Sequence, residues 1–133
     1  MKGVIAAGSQ EAASAGIFAL KRGGNAFDAA VAAQLTAFVS EPLLTGFGGA
    51  GIAAIKTQGK HHLIDMFTSM PGLGKPAMST KTDEISIDFG PTVQKFSVGP
   101  ASVAVPAMPQ GLAHIHRHYC VLPMDTLIQP ALQ

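Results

Sequence analysis

Two short patterns in this sequence contain residue types that bind ligands. The first, residues 46–51 (GFGGAG), has the G-x-G-x-x-G spacing of dinucleotide-binding loops. Such a loop must follow a strand and open a helix, because the pyrophosphate meets the free N–H groups at the helix N-terminus. Here a predicted helix precedes the glycines and a predicted strand follows them. We therefore expect no nucleotide and no other cofactor, and interpret the glycines as positions where the backbone passes close to another element.

The second pattern places His114, His116, His118 and Cys120 at alternate positions. On a helix, His114 and His118 share one face, whereas His116 points elsewhere. A zinc site needs three or four protein ligands, and no glutamate accompanies the histidines as in H-E-x-x-H. We expect no metal site. The alternative is a group of polar and cationic side chains near a helix C-terminus, where the helix dipole favours them.

No nucleophile is recognisable from the sequence. The G-x-S-x-G pattern of serine hydrolases does not occur. The carboxylates show no pairing that predicts acid–base catalysis. Cys120 is the only cysteine, so the chain forms no internal disulfide. We assign no catalytic residue within this chain.

The composition indicates that much of the surface of this chain is buried against a partner or against the rest of a larger protein. Of the 133 residues, 13% are charged, about half the usual share of roughly 25%, and 47% are hydrophobic. We interpret the chain as a fragment of a larger protein or as an obligate partner. The net charge of +1 without a basic cluster argues against nucleic acid. No apolar run reaches the ~18 residues of a membrane span, and the N-terminus lacks a signal-peptide core, so we expect a cytoplasmic protein.

Two helices are predicted in the first third of the chain. Ser9 is a suitable N-cap for a helix that extends to about Arg22. Two glycines then separate it from a second helix, residues 26–40, in which Asn25 and Asp28 have the spacing of a capping box. This second helix is apolar on nearly every face, so it must be covered on all sides.

The sequence pattern is less regular in the rest of the chain. We expect residues 68–94, rich in glycine, proline, serine and threonine, to form a long surface excursion. Helices are expected over residues 111–119 and from Met124 onward. The predicted strands cover residues 3–7, a hairpin of residues 51–56 and 61–66, and residues 102–105.

Several of these segments, taken together, carry a family resemblance. They are residues 23–33 (GGNAFDAAVAA), Glu41-Pro42, residues 46–51 (GFGGAG), residues 65–71 (DMFTSMP) and the segment from Ser102 to Asp125. Their order resembles the N-terminal part of the large subunit of the γ-glutamyltransferase family. The resemblance covers most of the chain, and residues 68–95 match weakly.

The resemblance implies an α/β (α+β) chain that is part of the four-layer αββα fold of N-terminal-nucleophile hydrolases. Residues 1–133 would then be a single partial domain. Members of the family are precursors that cut themselves into two subunits, and the new N-terminal threonine of the small subunit is the nucleophile. The implied partners are the remainder of the large subunit and that small subunit. The implied substrate is a small-molecule amide, and neither Thr45 nor Thr68 is the nucleophile.

One departure from the family pattern concerns the substrate. The family's transferases carry an arginine that grips the α-carboxylate of the glutamyl group. Aligned on Asp65 and Pro71, this chain has Phe67 at that position, and a benzyl ring cannot replace a guanidinium fork. We predict that Phe67 contacts substrate and that an acyl group without an α-carboxylate is preferred. Ala107 replaces the usual glycine after Pro106, a milder change.

Two hypotheses follow from these observations. The first is the N-terminal part of an amide hydrolase or acyltransferase, lacking the catalytic threonine and inactive alone. The second is a non-catalytic product, either truncated or serving as an assembly partner. A cleavage segment encoded downstream of Gln133 would distinguish them.

Overall fold

The computed structural model describes residues 3–72, 74–75 and 81–133. The chain divides into two compact units, Met1–Phe67 with Pro106–Gln133, and Thr68–Val105. The single partial domain expected over residues 1–133 stays a prediction. Within the described ranges the elements mix helices with two antiparallel two-stranded sheets, as the predicted α+β class requires.

The first unit contains most of the helices and the first hairpin. Its elements are α1 (Gln10–Lys21), α2 (Ala26–Ser40), β1 (Ile52–Thr57), β2 (Lys60–Asp65), α3 (Met108–Tyr119), α4 (Met124–Leu127) and a closing 3₁₀ turn (Gln129–Leu132). Its core is built from buried apolar side chains of nearly all of these elements, among them Ala19, Val31, Leu35, Phe38, Ile55, Leu112, Ile115 and Leu127. Both late helices were predicted, and α3 begins three residues earlier than expected.

The caps of α1 and α2 were predicted correctly. Ser9 Oγ accepts a hydrogen bond from the Ala12 N–H at 3.2 Å. Gly23 adopts the positive φ of +87° that ends a helix with glycine. Asn25 and Asp28 then form a reciprocal capping box at the start of α2.

Asp28 also connects two distant parts of the chain. Its side chain is fully buried, and besides the Asn25 N–H it accepts hydrogen bonds from the N–H groups of Val121 and Leu122, at 3.1 and 2.9 Å. The Asn25 amide donates to the Tyr119 carbonyl at 2.8 Å. The start of α2 is therefore fixed to the loop between α3 and α4.

The apolar helix α2 is only partly covered. Eight of its residues are buried. Ala26 and Ala30 are exposed on one face, and Val39 is exposed near the C-terminus. The described residues of this chain thus leave one face of α2 open, although the sequence predicts cover on every side.

The first hairpin matches its prediction. Strands β1 and β2 pair antiparallel, with Ile52 opposite Asp65 and Thr57 opposite Lys60. The two turn residues, Gln58 and Gly59, both have positive φ, as a type I′ turn requires.

The second unit differs from the sequence-based prediction. Its residues 83–88 and 93–98 form a second antiparallel hairpin, β3 (Asp83–Asp88) and β4 (Val93–Val98), where a surface excursion was expected up to residue 94. Residues 73 and 76–80 of that excursion lie outside the described part. The alternation of Ile85 and Ile87 with polar residues is strand-like but short, and acidic neighbours obscure it.

Two predicted strands are wrong for this chain. Pro100–Ser102 forms a 3₁₀ turn, and beyond it only Val105 pairs, in a single bridge with Ser69. Residues 3–7 belong to no ladder within the described ranges, where none of their backbone groups pairs with a strand. Among the helices of those ranges, none combines the length and apolar content needed to cross a membrane.

Candidate substrate site at the end of the first hairpin

Phe67 lies immediately beyond the first hairpin. Its N–H donates to Asp65 Oδ1 at 2.8 Å, a local turn that closes strand β2. Its side chain is 62% exposed. Phe67 is therefore not part of the core of the unit it ends. Its predicted contact with substrate stays a prediction.

Met66 explains why Phe67 faces outward. Met66 is buried, and its N–H donates to the Gly51 carbonyl at 2.9 Å, which extends the hairpin ladder by one pair. Its side chain lies against Gly111 of α3, where even a single added β-carbon would overlap Met66 Cγ. In extended chain, successive side chains point to opposite sides. With Met66 directed into the core, Asp65 and Phe67 are both directed to the surface.

The glycine loop, residues 46–51, leads directly into this site. A β-carbon at Gly51 would lie 2.6 Å from Met108 Cε, the flexible end of that side chain, so a larger residue there would require Met108 to shift. Gly46 and Gly48 have open space around them and no positive φ. Nothing in the described residues explains why those two positions are glycine. The order helix, glycines, strand is confirmed, and it is the reverse of a dinucleotide loop.

The loop also exposes large apolar side chains. Leu43 and Leu44 are 97% and 82% exposed. Phe47 stacks on Phe38 with ring centroids 4.6 Å apart, and half of its surface remains exposed. Large exposed apolar side chains that are close in sequence are typical of surfaces that contact another protein, a membrane or a ligand.

Neither Thr45 nor Cys120 has the surroundings of an activated nucleophile. Thr45 Oγ1 accepts a hydrogen bond from Gln34 Nε2 at 3.2 Å. Burial, and secondly the negative charge of Asp28 nearby, raise the pKa of the Cys120 thiol to about 12. A reactive cysteine needs the opposite shift, because the thiolate is the nucleophile.

The histidines of α3 are arranged as predicted. The rings of His114 and His118 lie side by side, with centroids 4.3 Å apart. His116 points away and pairs through Nε2 with the Leu122 carbonyl at 2.9 Å. In the part of the chain that the structure describes, no three histidine, cysteine or acidic side chains are grouped to hold a metal.

The second departure from the family pattern is Ala107, and the backbone conformation at that position accepts it. Ala107 has φ −110° and ψ −6° at the start of α3. Because φ is negative, this position does not need the left-handed conformation that favours glycine, and alanine can occupy it.

Comparison with known proteins identifies a matching family and several similar proteins. The family model described as Gamma-glutamyltranspeptidase matches residues 12–133. The chain is 32% identical over 133 residues to the acylase ACY 1 proenzyme of Pseudomonas sp. (strain SE83), covering 98% of this chain and 24% of that protein. It is 31% identical over 131 residues to the glutathione hydrolase proenzyme of Pseudomonas aeruginosa, covering 98% and 22%. The chain thus spans about a quarter of the length of these relatives.

Two solved structures are also similar to this chain. The gamma-glutamyltranspeptidase from Pseudomonas nitroreducens complexed with L-DON superposes with a TM-score of 0.76 at 29% identity, covering 98% of this chain and 37% of that chain. The Bacillus anthracis transpeptidase enzyme CapD superposes with a TM-score of 0.72 at 27% identity, covering 99% and 38%. The arrangement of helices and hairpins described above is therefore that of one part of a larger fold.

Proposed function

Because this chain belongs to the gamma-glutamyltranspeptidase family, we propose that it is the N-terminal part of the large subunit of an amide hydrolase or acyltransferase. Its nucleophilic threonine would lie outside the 133 residues, in a small subunit released by self-cleavage. In the expected reaction, the threonine hydroxyl attacks the amide carbonyl and the amine leaves. Water or an amine acceptor then takes the acyl group from the threonine.

The single observation that carries the substrate assignment is the exposed ring of Phe67. In the family's transferases an arginine at the aligned position holds the substrate α-carboxylate. Phe67 offers no hydrogen-bond donor from its side chain, and its neighbour Asp65 is an exposed carboxylate. Loss of a buried, hydrogen-bonded charge pair costs about 2–5 kcal/mol. A γ-glutamyl group would therefore bind poorly, and an acyl group without an α-carboxylate would be preferred.

Other observations support the same proposal. One of the relatives named above is an acylase. The exposed leucines and phenylalanine around residues 43–47 fit a surface that the remaining part of the large subunit or the small subunit covers.

The test is the substitution Phe67→Arg in the complete protein, produced from the reading frame extended beyond Gln133. The measurement is kcat/KM for a γ-glutamyl amide and for a matched acyl amide that lacks the α-carboxylate. We expect the ratio to move toward the γ-glutamyl substrate by about 10-fold to 100-fold, because one bidentate contact is restored. The gain stays partial, since the surrounding residues were not selected to support an arginine.

Phe89→Arg is the matched control, since Phe89 is a 55% exposed phenylalanine of the second unit, in the turn between β3 and β4. An unchanged ratio in a folded, self-processed Phe67→Arg protein would refute the role of Phe67. An equal shift in Phe89→Arg would refute it as well. A reading frame without a downstream threonine cleavage segment would favour the alternative of a non-catalytic truncated product or assembly partner.

A further inference from the structure

The exposed side of α3 carries two histidines one helical turn apart. His114 and His118 are both exposed, and their ring centroids lie 4.3 Å apart. Within the described residues neither ring has a hydrogen-bond partner in the protein, whereas His116 is engaged with the Leu122 carbonyl. Two histidines at positions i and i+4 of a helix can bind one metal ion together, as in the H-E-x-x-H motif. The pair therefore has the spacing of a chelate and ring nitrogens that are not engaged elsewhere.

The distance between the two rings corresponds to a particular coordination geometry. A metal bonded to a ring nitrogen at about 2.0–2.1 Å lies about 3.2 Å from the ring centroid. Centroids 4.3 Å apart then correspond to an angle of about 85° at the metal. Tetrahedral coordination would separate the centroids by about 5.2 Å, whereas the tetragonal sites of Cu²⁺ and Ni²⁺ use angles of about 90°. The separation therefore matches Cu²⁺ or Ni²⁺ better than tetrahedral Zn²⁺.

The side chains around the pair do not complete a closed metal site. His62 of β2 contacts the ring of Tyr119, with centroids 6.1 Å apart. Among the described residues, however, no three histidine, cysteine or acidic side chains are grouped to hold a metal. Arg117 precedes His118, and its positive charge opposes a bound cation. Water must fill the remaining coordination positions, so a bound metal should exchange readily.

We propose that His114 and His118 form an exchangeable site for a divalent transition metal of tetragonal geometry, Cu²⁺ or Ni²⁺. Each neutral imidazole donates the lone pair of one ring nitrogen to the metal, and water occupies the other positions. This proposal replaces the expectation of no metal site, which rested on the lack of a third ligand on that face of the helix. The site uses neither Phe67 nor the proposed threonine, so it is independent of the proposed function.

A bound metal joins two successive turns at the C-terminal end of α3. The spacing of four residues brings the two rings together only while these turns are helical. A ligand that binds the folded chain better than the unfolded chain stabilises the fold. Ni²⁺ should therefore raise the unfolding temperature of the wild-type protein. An equal rise in His118→Ala would contradict the proposal.

The affinity is measured by equilibrium dialysis of the complete protein, produced without a histidine tag, against Ni²⁺ at pH 8. His114→Ala and His118→Ala should each weaken binding at least about 10-fold, because the second metal–nitrogen bond forms within one molecule. His61→Ala is the matched control, since His61 is an exposed histidine of β2, and it should bind Ni²⁺ as the wild type does. A smaller loss in His118→Ala, or an equal loss in His61→Ala, would overturn the proposal.

A second measurement needs no variant and therefore does not depend on how a variant folds. Diethyl pyrocarbonate modifies exposed histidines, and trypsin cleavage after Arg117 places His114 and His118 in separate peptides for mass spectrometry. Ni²⁺ at ten times its Kd occupies about 90% of the sites, so it should slow modification of both histidines by about 10-fold. His61 should react at an unchanged rate. Unchanged rates for His114 and His118, or protection of only one of them, would overturn the chelate.

The geometry is tested by electron paramagnetic resonance with one equivalent of Cu²⁺. A tetragonal site should give an axial spectrum with hyperfine coupling to nitrogen. His118→Ala should lose the coupling to one of the two imidazoles, and His61→Ala should keep both. Identical spectra for the wild type and His118→Ala would show that Cu²⁺ is not held by this pair.

Discussion

Replacing Asp28 by alanine should destabilise the first unit more than any other single loss of an acidic side chain in it. The carboxylate is fully buried and accepts hydrogen bonds from the N–H groups of Asn25, Val121 and Leu122. These bonds fix the start of α2 to the chain 93 and 94 residues later. Asp28→Ala removes the acceptor and leaves three donors without a protein partner.

The size of the effect follows from the exposure of the three donors. A buried donor left unsatisfied costs about 1–3 kcal/mol. Val121 is exposed, so water can hydrate its N–H, whereas Asn25 and Leu122 are partly buried. Two such penalties give a loss of roughly 2–6 kcal/mol in the free energy of unfolding, and partial burial favours the lower half of that range. Asp28→Asn keeps one acceptor oxygen and should cost about half as much.

Urea unfolding of this chain, followed by far-UV circular dichroism, measures the change. Asp125→Ala is the control, because Asp125 is an exposed aspartate in the first turn of α4. Its loss should cost about 0.5 kcal/mol or less. A loss below about 1 kcal/mol for Asp28→Ala, at an unchanged slope with urea, would show that these hydrogen bonds do not hold the loop.

Three further predictions concern Cys120 and the activity of the isolated chain. With its pKa raised from 9.0 to about 12, Cys120 should react with iodoacetamide at pH 8 at least about 100-fold more slowly in the folded chain than in urea, and equal rates would contradict the raised pKa. Because the folded thiol holds its proton more tightly than the unfolded one, its contribution to stability is complete below about pH 9 and is lost as the pH rises toward about 12. The isolated 133-residue chain should not hydrolyse γ-glutamyl or other acyl amides above background, since the proposed nucleophile lies elsewhere; turnover abolished by substitution of Thr45 or Thr68 would refute this.

Local signals predicted the helical part of the fold well. Ser9, Asn25 and Asp28 act within one turn of their own positions, so their spacing in the sequence is enough to locate both helix starts. The type I′ hairpin is likewise a local structure. The link from Asp28 to Val121 and Leu122 was not predictable, because it depends on how the chain returns over more than ninety residues.

Strand pairing shows where sequence reasoning fails. Residues 3–7 have a strand-like composition, but a ladder requires a neighbour, and the described chain provides none. The second hairpin was missed because Ile85 and Ile87 give only one short alternation among acidic residues. The position of Phe67 came from alignment alone. Its outward direction required knowing that Met66 is buried against Gly111.

The contact between Met66 and Gly111 is therefore expected to control the proposed substrate site. An alanine at Gly111 would place its β-carbon into Met66 Cγ and Sδ, and 3.1 Å from Met66 Cβ. Overpacking of a core costs about 1–3 kcal/mol, whereas replacing glycine by alanine in a helix gains up to about 1 kcal/mol. The net loss should be about 1 kcal/mol. Displaced Met66 should also move Phe67, so kcat/KM of the complete protein should fall.

A double-mutant cycle tests whether overlap with Met66 causes the loss of stability in Gly111→Ala. In a Met66→Ala background Cγ and Sδ are absent and only the 3.1 Å contact with Cβ remains, so Gly111→Ala should lose its cost and become neutral or stabilising by up to about 1 kcal/mol. Gly48→Ala is the control, because Gly48 has open space and no positive φ in this chain, and should change stability by less than about 0.5 kcal/mol. An equal cost of Gly111→Ala in both backgrounds would mean that Met66 is not what the glycine accommodates. The outward direction of Phe67 would then need another explanation.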